Sequence, residues 1–467
     1  MRLIPRLHFV LAIVFAVNCQ LVQAQNTPDE LLLKGGYVLT MDPEIGDLAV
    51  GDVLVRDGQI IEIGTSLVAP EAEIIDASDM VIMPGFVETH WHMWNSSWRG
   101  MANDAAEYFR FSGVLAPHYT VEDHYIAVRY AALDALNAGI TTVHNWAHGI
   151  RGFEDVQAEM RALVDTGIRA KMGYMAAVQG QATPAEDLIR ARNWINENGQ
   201  GRLGLGLLVE GGGPDQFEAA VALGRSLGLR PITDHGGGLA RPDIAGSEFV
   251  VTHGTGLTPE AIQIIAQQDI KVALSPLIDP MIGGGLPPTY PLIAGGVRLE
   301  NISFSVDVSA QTPVDPFAAL RAIINAARMQ QTQAASTAQS AGPINIPDSS
   351  RGWDFSYRDA LFVGTYGGAN VLGLQEQTGS LTPGKRADII MVRLDDLNML
   401  PLVDTNMTFQ LVQHGLPSNV DTVIVDGKIK KRNGELVNVN LAEIIAETAA
   451  SQQAIRERAG ITIDQLR

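Results

Sequence analysis

Cysteine is all but absent from this chain: 467 residues include one, Cys19, and it falls in an N-terminal segment that reads as a leader. A chain without thiols beyond that point excludes disulfides and thiolate metal ligands. Basic charge is scarce too. Lys and Arg number 33 against 52 Asp and Glu, a net charge of −19, which argues against nucleic acid as a partner and offers no basic patch to anionic lipid. No stretch after the leader is long enough and apolar enough to span a membrane. What remains is the composition of a globular protein, 46% hydrophobic and 18% charged. The length suits a large barrel plus a smaller second domain.

Residues 1–24 carry the marks of a signal peptide. Arg2 and Arg6 form a positive start, Phe9 to Val17 an apolar core too short for a bilayer, and Val22-Gln23-Ala24 a cleavage site. Asn18 before Cys19 speaks against a lipoprotein signal. The expectation is an exported protein of a bacterial periplasm or of the extracellular space.

The most informative stretch runs Val81-Ile82-Met83-Pro84-Gly85-Phe86-Val87-Glu88-Thr89-His90-Trp91-His92. It reads as an apolar strand that ends in His-x-His. Residues two apart on a strand share a face, so His90 and His92 project together. Two imidazoles held on one face make half of a divalent metal site; two satisfied strand-end histidines are the alternative for His-x-His taken alone. Seven more apolar strands follow: Ile140–Asn145, Arg169–Ala176, Leu203–Glu210, Arg230–His235, Phe249–His253, Ile270–Ser275 and Asn301–Asp307. Helical patterns separate most of them, as at Val121–Ala138, Phe153–Thr166, Phe217–Leu227 and Pro259–Gln267. Strand–helix alternation repeated eight times predicts a parallel (β/α)8 barrel. Active residues of such a barrel sit at the C-terminal strand ends. There the chain places His235, His253 and Asp307 in addition to the His-x-His pair.

The Pro-Gly-Phe-Val-Glu-Thr-His-Trp-His run resembles the first barrel strand of the amidohydrolase superfamily of metal-dependent hydrolases. Val251-Thr252-His253-Gly254-Thr255-Gly256-Leu257-Thr258 resembles that family's sixth-strand His, Ser305-Val306-Asp307 its eighth-strand Asp, and Gly379-Ser380-Leu381-Thr382-Pro383-Gly384-Lys385-Arg386-Ala387-Asp388 its return into a small β-sandwich. The resemblance spans about residues 30 to 435. It implies a composite sandwich built from both chain ends, at 25–80 and 376–440, around a barrel at 81–375; the closing segment 441–467 reads as an Ala-rich amphipathic helix over Leu441 to Arg458. Asp57-Gly58 and Asp426-Gly427 are hairpin turns of that sandwich. The long segment between the first two barrel strands, with Trp94, Trp98, Arg99, Tyr108, Phe109 and Phe111, predicts a lid over the site.

The branch it resembles includes the cytosine and S-adenosylhomocysteine deaminases and the triazine hydrolases. That resemblance implies one divalent ion on His90, His92, His235 and Asp307, with zinc favoured over iron(II) or manganese(II). A metal-activated water would attack, Asp307 would carry its proton, and His253 would polarise the water or substrate. The deaminases of this branch place a Glu three residues after the fifth-strand His, and here that position is Gly238, within Gly236-Gly237-Gly238. The departure favours hydrolysis of an amide, cyclic amide, lactone or ester of a small molecule. The alternatives are deamination of a heteroaromatic base, and a binding protein that kept the barrel. Glu210, His148 and His144 are candidates for a substrate or acid role, the corner at Gly238 is expected to be open space, and His118 and His124 read as surface residues. A homo-oligomer is left open.

Overall fold

The computed structural model describes residues 30–102, 104–175, 184–209, 214–235, 239, 241–335, 352–403 and 406–462. The expected signal peptide, Glu210 and Gly236 to Gly238 lie outside them.

Five strands open the chain: β1 (Glu30–Val38), β2 (Leu48–Arg56), β3 (Gln59–Gly64), β4 (Glu73–Asp76) and β5 (Met80–Pro84). Eight form the barrel: β6 (Phe86–Val87), β7 (Ile140–Ala147), β8 (Arg169–Tyr174), β9 (Leu203–Leu208), β10 (Ile232–Asp234), β11 (Phe249–Thr252), β12 (Lys271–Leu274) and β13 (Ile302–Phe304). Four close the chain: β14 (Ile389–Arg393), β15 (Val420–Val425), β16 (Lys428–Arg432) and β17 (Glu435–Leu436). The helices up to β10 are α1 (Ala105–Leu115), α2 (Val121–Asn137), α3 (Phe153–Thr166), α4 (Ala185–Asn198) and α5 (Pro214–Ser226). After it come α6 (Pro259–Gln268), α7 (Thr289–Ala294), α8 (Pro316–Ala335), α9 (Tyr357–Phe362), α10 (Gly368–Val371), α11 (Met407–His414) and α12 (Leu441–Arg458).

β6 to β13 pair in sequence order as one parallel sheet. Bridges from Trp91 to Asn145 and to Asp307 bring its first and last strands together, so the barrel is nearly closed. The remaining strands form a nine-stranded mixed sheet, with β4 beside β1. The two chain ends meet where β5 runs antiparallel to β14, from Ile389 opposite Pro84 to Arg393 opposite Met80. Both Asp-Gly turns are tight hairpins. Asp57 and Asp426 have φ of 51° and 55°, and the glycines after them 75° and 73°, which two-residue hairpins of right-twisting strands require.

The sequence treats Val81–His90 as one strand, whereas the structure divides it. Its first half lies in the mixed sheet as β5 and its second enters the barrel as β6. Gly85 marks the crossing. A Cβ there would sit 2.2 Å from the Thr141 side chain, and its N–H bonds to the Asp388 carbonyl at 3.0 Å. Only glycine lets the chain pass that closely between the two sheets.

The expected lid is a packed shoulder instead. Met93 to Trp98 form a 3-10 turn with every residue buried. Trp94 packs edge-on against Trp98 at 5.0 Å and against Tyr119 at 5.5 Å. Phe111 and Tyr108 are buried as well, and of the six named residues Phe109 is the large apolar one that stays exposed. The buried rings of Trp94, Trp98, Tyr108, Phe111 and Tyr119 take too much apolar area out of contact with water to stand open as a lid. His124 is likewise no surface residue. It is fully buried on α2, with Nδ1 2.8 Å from Glu159 Oε1 on α3, and Glu159 in turn accepts from Asn145 at 2.6 Å. Its position on the inward face of α2 was masked by the polar start of that helix.

Side chains from the mixed sheet hold the barrel helices. Lys431 donates to the Asn137 carbonyl at the end of α2 at 2.7 Å, placing a cation at the negative end of the helix dipole. The buried Arg169 of β8 forms a two-pronged pair with Asp388 and reaches Asp426 at 3.3 Å. Asp388 also accepts the Asp426 N–H at 2.8 Å. Removing one partner of a buried pair strands the other charge, at a cost of about 3–5 kcal/mol. Asp388→Ala should lose about that much stability in urea denaturation, and a loss under about 1 kcal/mol would show the joint to be no more than a surface-strength pair.

Candidate metal centre and active site

His90 and His92 project from the backbone that continues β6, and Asp307 follows β13. Their main chains are tied directly: the Asp307 N–H bonds to the His90 carbonyl at 2.8 Å and the His92 N–H to the Asp307 carbonyl at 2.9 Å. Side chains converge at the same place. Asp307 Oδ1 lies 3.3 Å from His90 Nε2 and 3.1 Å from His92 Nε2. Burial pushes the Asp307 carboxyl up, but the two imidazoles beside it prevail and hold it well below the usual carboxylate range. Burial also drives His90 well below the usual imidazole range, so it stands neutral with a lone pair to offer.

Asp307 and His253 have φ of 60° and 64°. Left-handed backbone is uncommon for residues other than glycine, though Asp and His tolerate it better than most. Here it turns both side chains sharply at their strand ends, and such conformations gather at functional sites.

Glu88 is the hidden support of the His-x-His pair. It is fully buried, and its carboxyl accepts the backbone N–H of His90 at 2.7 Å, of Val306 at 3.2 Å and of His144 at 3.3 Å. One side chain thus joins the first, second and eighth barrel strands. Burial, only partly offset by those bonds, pushes it up to about 8. Thr89 adds a bond to the Phe304 carbonyl at 2.8 Å. His144 lies beneath this layer, where Nδ1 donates to the Thr89 carbonyl at 3.0 Å. Burial lowers it to about 4, so it serves as a neutral brace there.

His148 stands at the other side. Its Nδ1 is 3.2 Å from His92 Nδ1 and 3.3 Å from Trp94 Nε1. An imidazole that uses Nε2 on a metal is oriented by what its other nitrogen meets, and for His92 that is His148. The sequence missed the role of Trp146. It is fully buried, with its ring edge-on to His90 at 4.1 Å and 5.1 Å from His235, and forms a rigid wall.

His235 stacks on His253 at 5.5 Å. Two groups of ring nitrogens and carboxylate oxygens come within 4.8 Å of one another: His90, His92 and Asp307, and His90, His235 and His253. His90 belongs to both, so the five residues singled out from the sequence form one cluster.

The donors fit a divalent cation. Both ring nitrogens of His90 are buried without a hydrogen-bond partner among the described residues; Nε2 is near Asp307 but out of hydrogen-bonding geometry. Leaving such atoms unsatisfied costs about 1–3 kcal/mol each, and a cation on one lone pair relieves it. Neutral imidazoles with one carboxylate suit zinc and its neighbours. Purified protein should carry about one equivalent of metal per chain by elemental analysis, and His90→Ala with His92→Ala should lose it. Full occupancy in the double variant would refute the site.

Comparison with known proteins agrees with this architecture. The amidohydrolase family pattern matches residues 231–430. The chain is 25% identical over 458 residues to 5'-deoxyadenosine deaminase of Methanosarcina mazei, covering 92% of this chain and 99% of the relative. It is 26% identical to 5-methylthioadenosine/S-adenosylhomocysteine deaminase of Desulforudis audaxviator, over 91% of this chain and 99% of that one. Among solved structures, an adenosine deaminase from Xanthomonas campestris with bound zinc superposes with a TM-score of 0.77 at 21% identity, covering 91% and 98% of the two chains. Atrazine chlorohydrolase from Arthrobacter aurescens, complexed with zinc, gives 0.73 at 21% identity over 90% and 99%. Its barrel, its converging histidines and aspartate and these likenesses make the chain similar to proteins of the amidohydrolase family, whose pattern it matches over residues 231–430.

Proposed function

We propose that this metal-dependent hydrolase of non-peptide carbon–nitrogen bonds is a deaminase of a heteroaromatic amine of the adenine-nucleoside type. Water would replace the exocyclic amino group, and ammonia would leave. Amide or lactone cleavage, favoured by the sequence because Gly238 stands where an acid is expected, gives way to the alternative. Likeness to nucleoside deaminases runs over nine-tenths of the chain, and it outweighs one residue. The observation that carries the reading is the buried Asp307 carboxylate fixed against His90 and His92.

His90, His92, Asp307 and His235 would hold the cation, zinc on this reading. When bound, it supplies a water acidic enough to attack at neutral pH. The two oxygens of Asp307 are placed differently. Oδ1 faces the two imidazoles, whereas Oδ2 lies on the side of His253, 3.8 Å from its Nδ1. Oδ2 is therefore the atom that takes a proton from the attacking water and passes it to the departing amine. Trp146 keeps the rings of His90 and His235 from turning. His148 holds His92.

Metal-loaded protein should release ammonia from an adenine-nucleoside panel, and Asp307→Asn should slow that release by about 10²-fold or more. Turnover of amides or lactones with no ammonia from any nucleoside would return the assignment to the other hydrolase reading.

A further inference from the structure

Asp279 has no part in the scheme above, yet it is built into the site. It follows β12, four residues after Ser275, and is 1% exposed. Its Oδ1 lies 2.7 Å from His253 Nδ1. Its Oδ2 is buried and has no hydrogen-bond partner among the described residues. Its main chain is fixed at both ends, with its N–H on the Ser275 carbonyl at 3.0 Å and its carbonyl accepting from Gly284 at 2.8 Å. The His253 backbone is equally fixed, with its N–H on the Ala273 carbonyl at 2.8 Å. The contact therefore joins two rigid strand ends.

The charges around Nδ1 decide where the hydrogen sits. Asp279 approaches it at 2.7 Å and Asp307 Oδ2 at 3.8 Å. A lone pair on Nδ1 would face carboxylate oxygens on two sides, whereas a hydrogen there makes both contacts attractive. We propose that Asp279 is a positioning residue, which locks His253 in the tautomer with its hydrogen on Nδ1 and so makes Nε2 the acceptor nitrogen. An acceptor suits a group that donates: an exocyclic amine or a water. It does not suit the carbonyl that replaces the amine in the product. Asp279 would in this way favour substrate over product without touching either.

The kinetic part of this inference rests on the deaminase reading; the tautomer does not, and the experiment separates them. Nitrogen-15 spectra of histidine-labelled, metal-loaded protein, with the His253 signal assigned by its loss in His253→Gln, should show hydrogen on Nδ1. Asp279→Asn, whose amide oxygen still accepts, should keep it there, and Asp279→Leu should move it to Nε2. Metal content and thermal midpoint identify the folded variants. With an active substrate, Asp279→Leu should lower kcat/KM about 10- to 100-fold, the usual cost of removing such a partner, with Asp279→Asn recovering part of the loss. Product inhibition should tighten in Asp279→Leu. Wild-type His253 with no hydrogen on Nδ1 overturns the proposal even if Asp279→Leu cannot fold. So does an Asp279→Leu spectrum identical to wild type.

Discussion

Ring closure and site assembly are one event in this protein. The bonds between Asp307 and the main chain of His90 and His92 complete the barrel. The same residues bring an aspartate and two imidazoles within reach of one another. A chain that failed to close its barrel would have no site, and an uncompensated cluster of buried polar atoms would strain the closure. Glu88 matters because it holds this seam from inside, gathering three backbone donors from three strands onto one carboxyl. An apolar side chain in its place would leave three buried N–H groups without partners where the clustered histidines and aspartate are held.

The mixed sheet works from the opposite end. Its Lys431 caps α2, and the Arg169 joint ties β8 to the turn between β15 and β16. The helix α12 then anchors on α2, where Ser451 and Arg458 reach the same Asp123. These contacts tie β8 and α2 to the mixed sheet and to the C-terminal helix. Rigidity of the candidate site thus draws on packing far from it, an expected property of sites built on rigid elements.

Much of this was legible in the sequence because its signals are local. Strand–helix alternation announced the barrel, and Phe153–Thr166 and Leu441–Arg458 match their observed bounds. His90, His92, His235, His253 and Asp307 were found because polar residues at the ends of apolar runs stand out. The failures share a cause: they depend on what a residue meets across space. The break at Gly85 is set by Thr141, and the burial of His124 by Glu159. The aromatic shoulder looked like a lid because aromatic content does not say whether rings face water or each other. Asp279 was the one avoidable omission, since it too is a carboxylate just beyond a barrel strand.

The central claim is that one cation sits where the first and eighth strands meet. Crystals grown with zinc and measured at the zinc edge test it directly. The account predicts a single anomalous peak per chain enclosed by His90, His92, His235 and Asp307. A peak elsewhere, or none in crystals of protein shown to bind zinc, would contradict it.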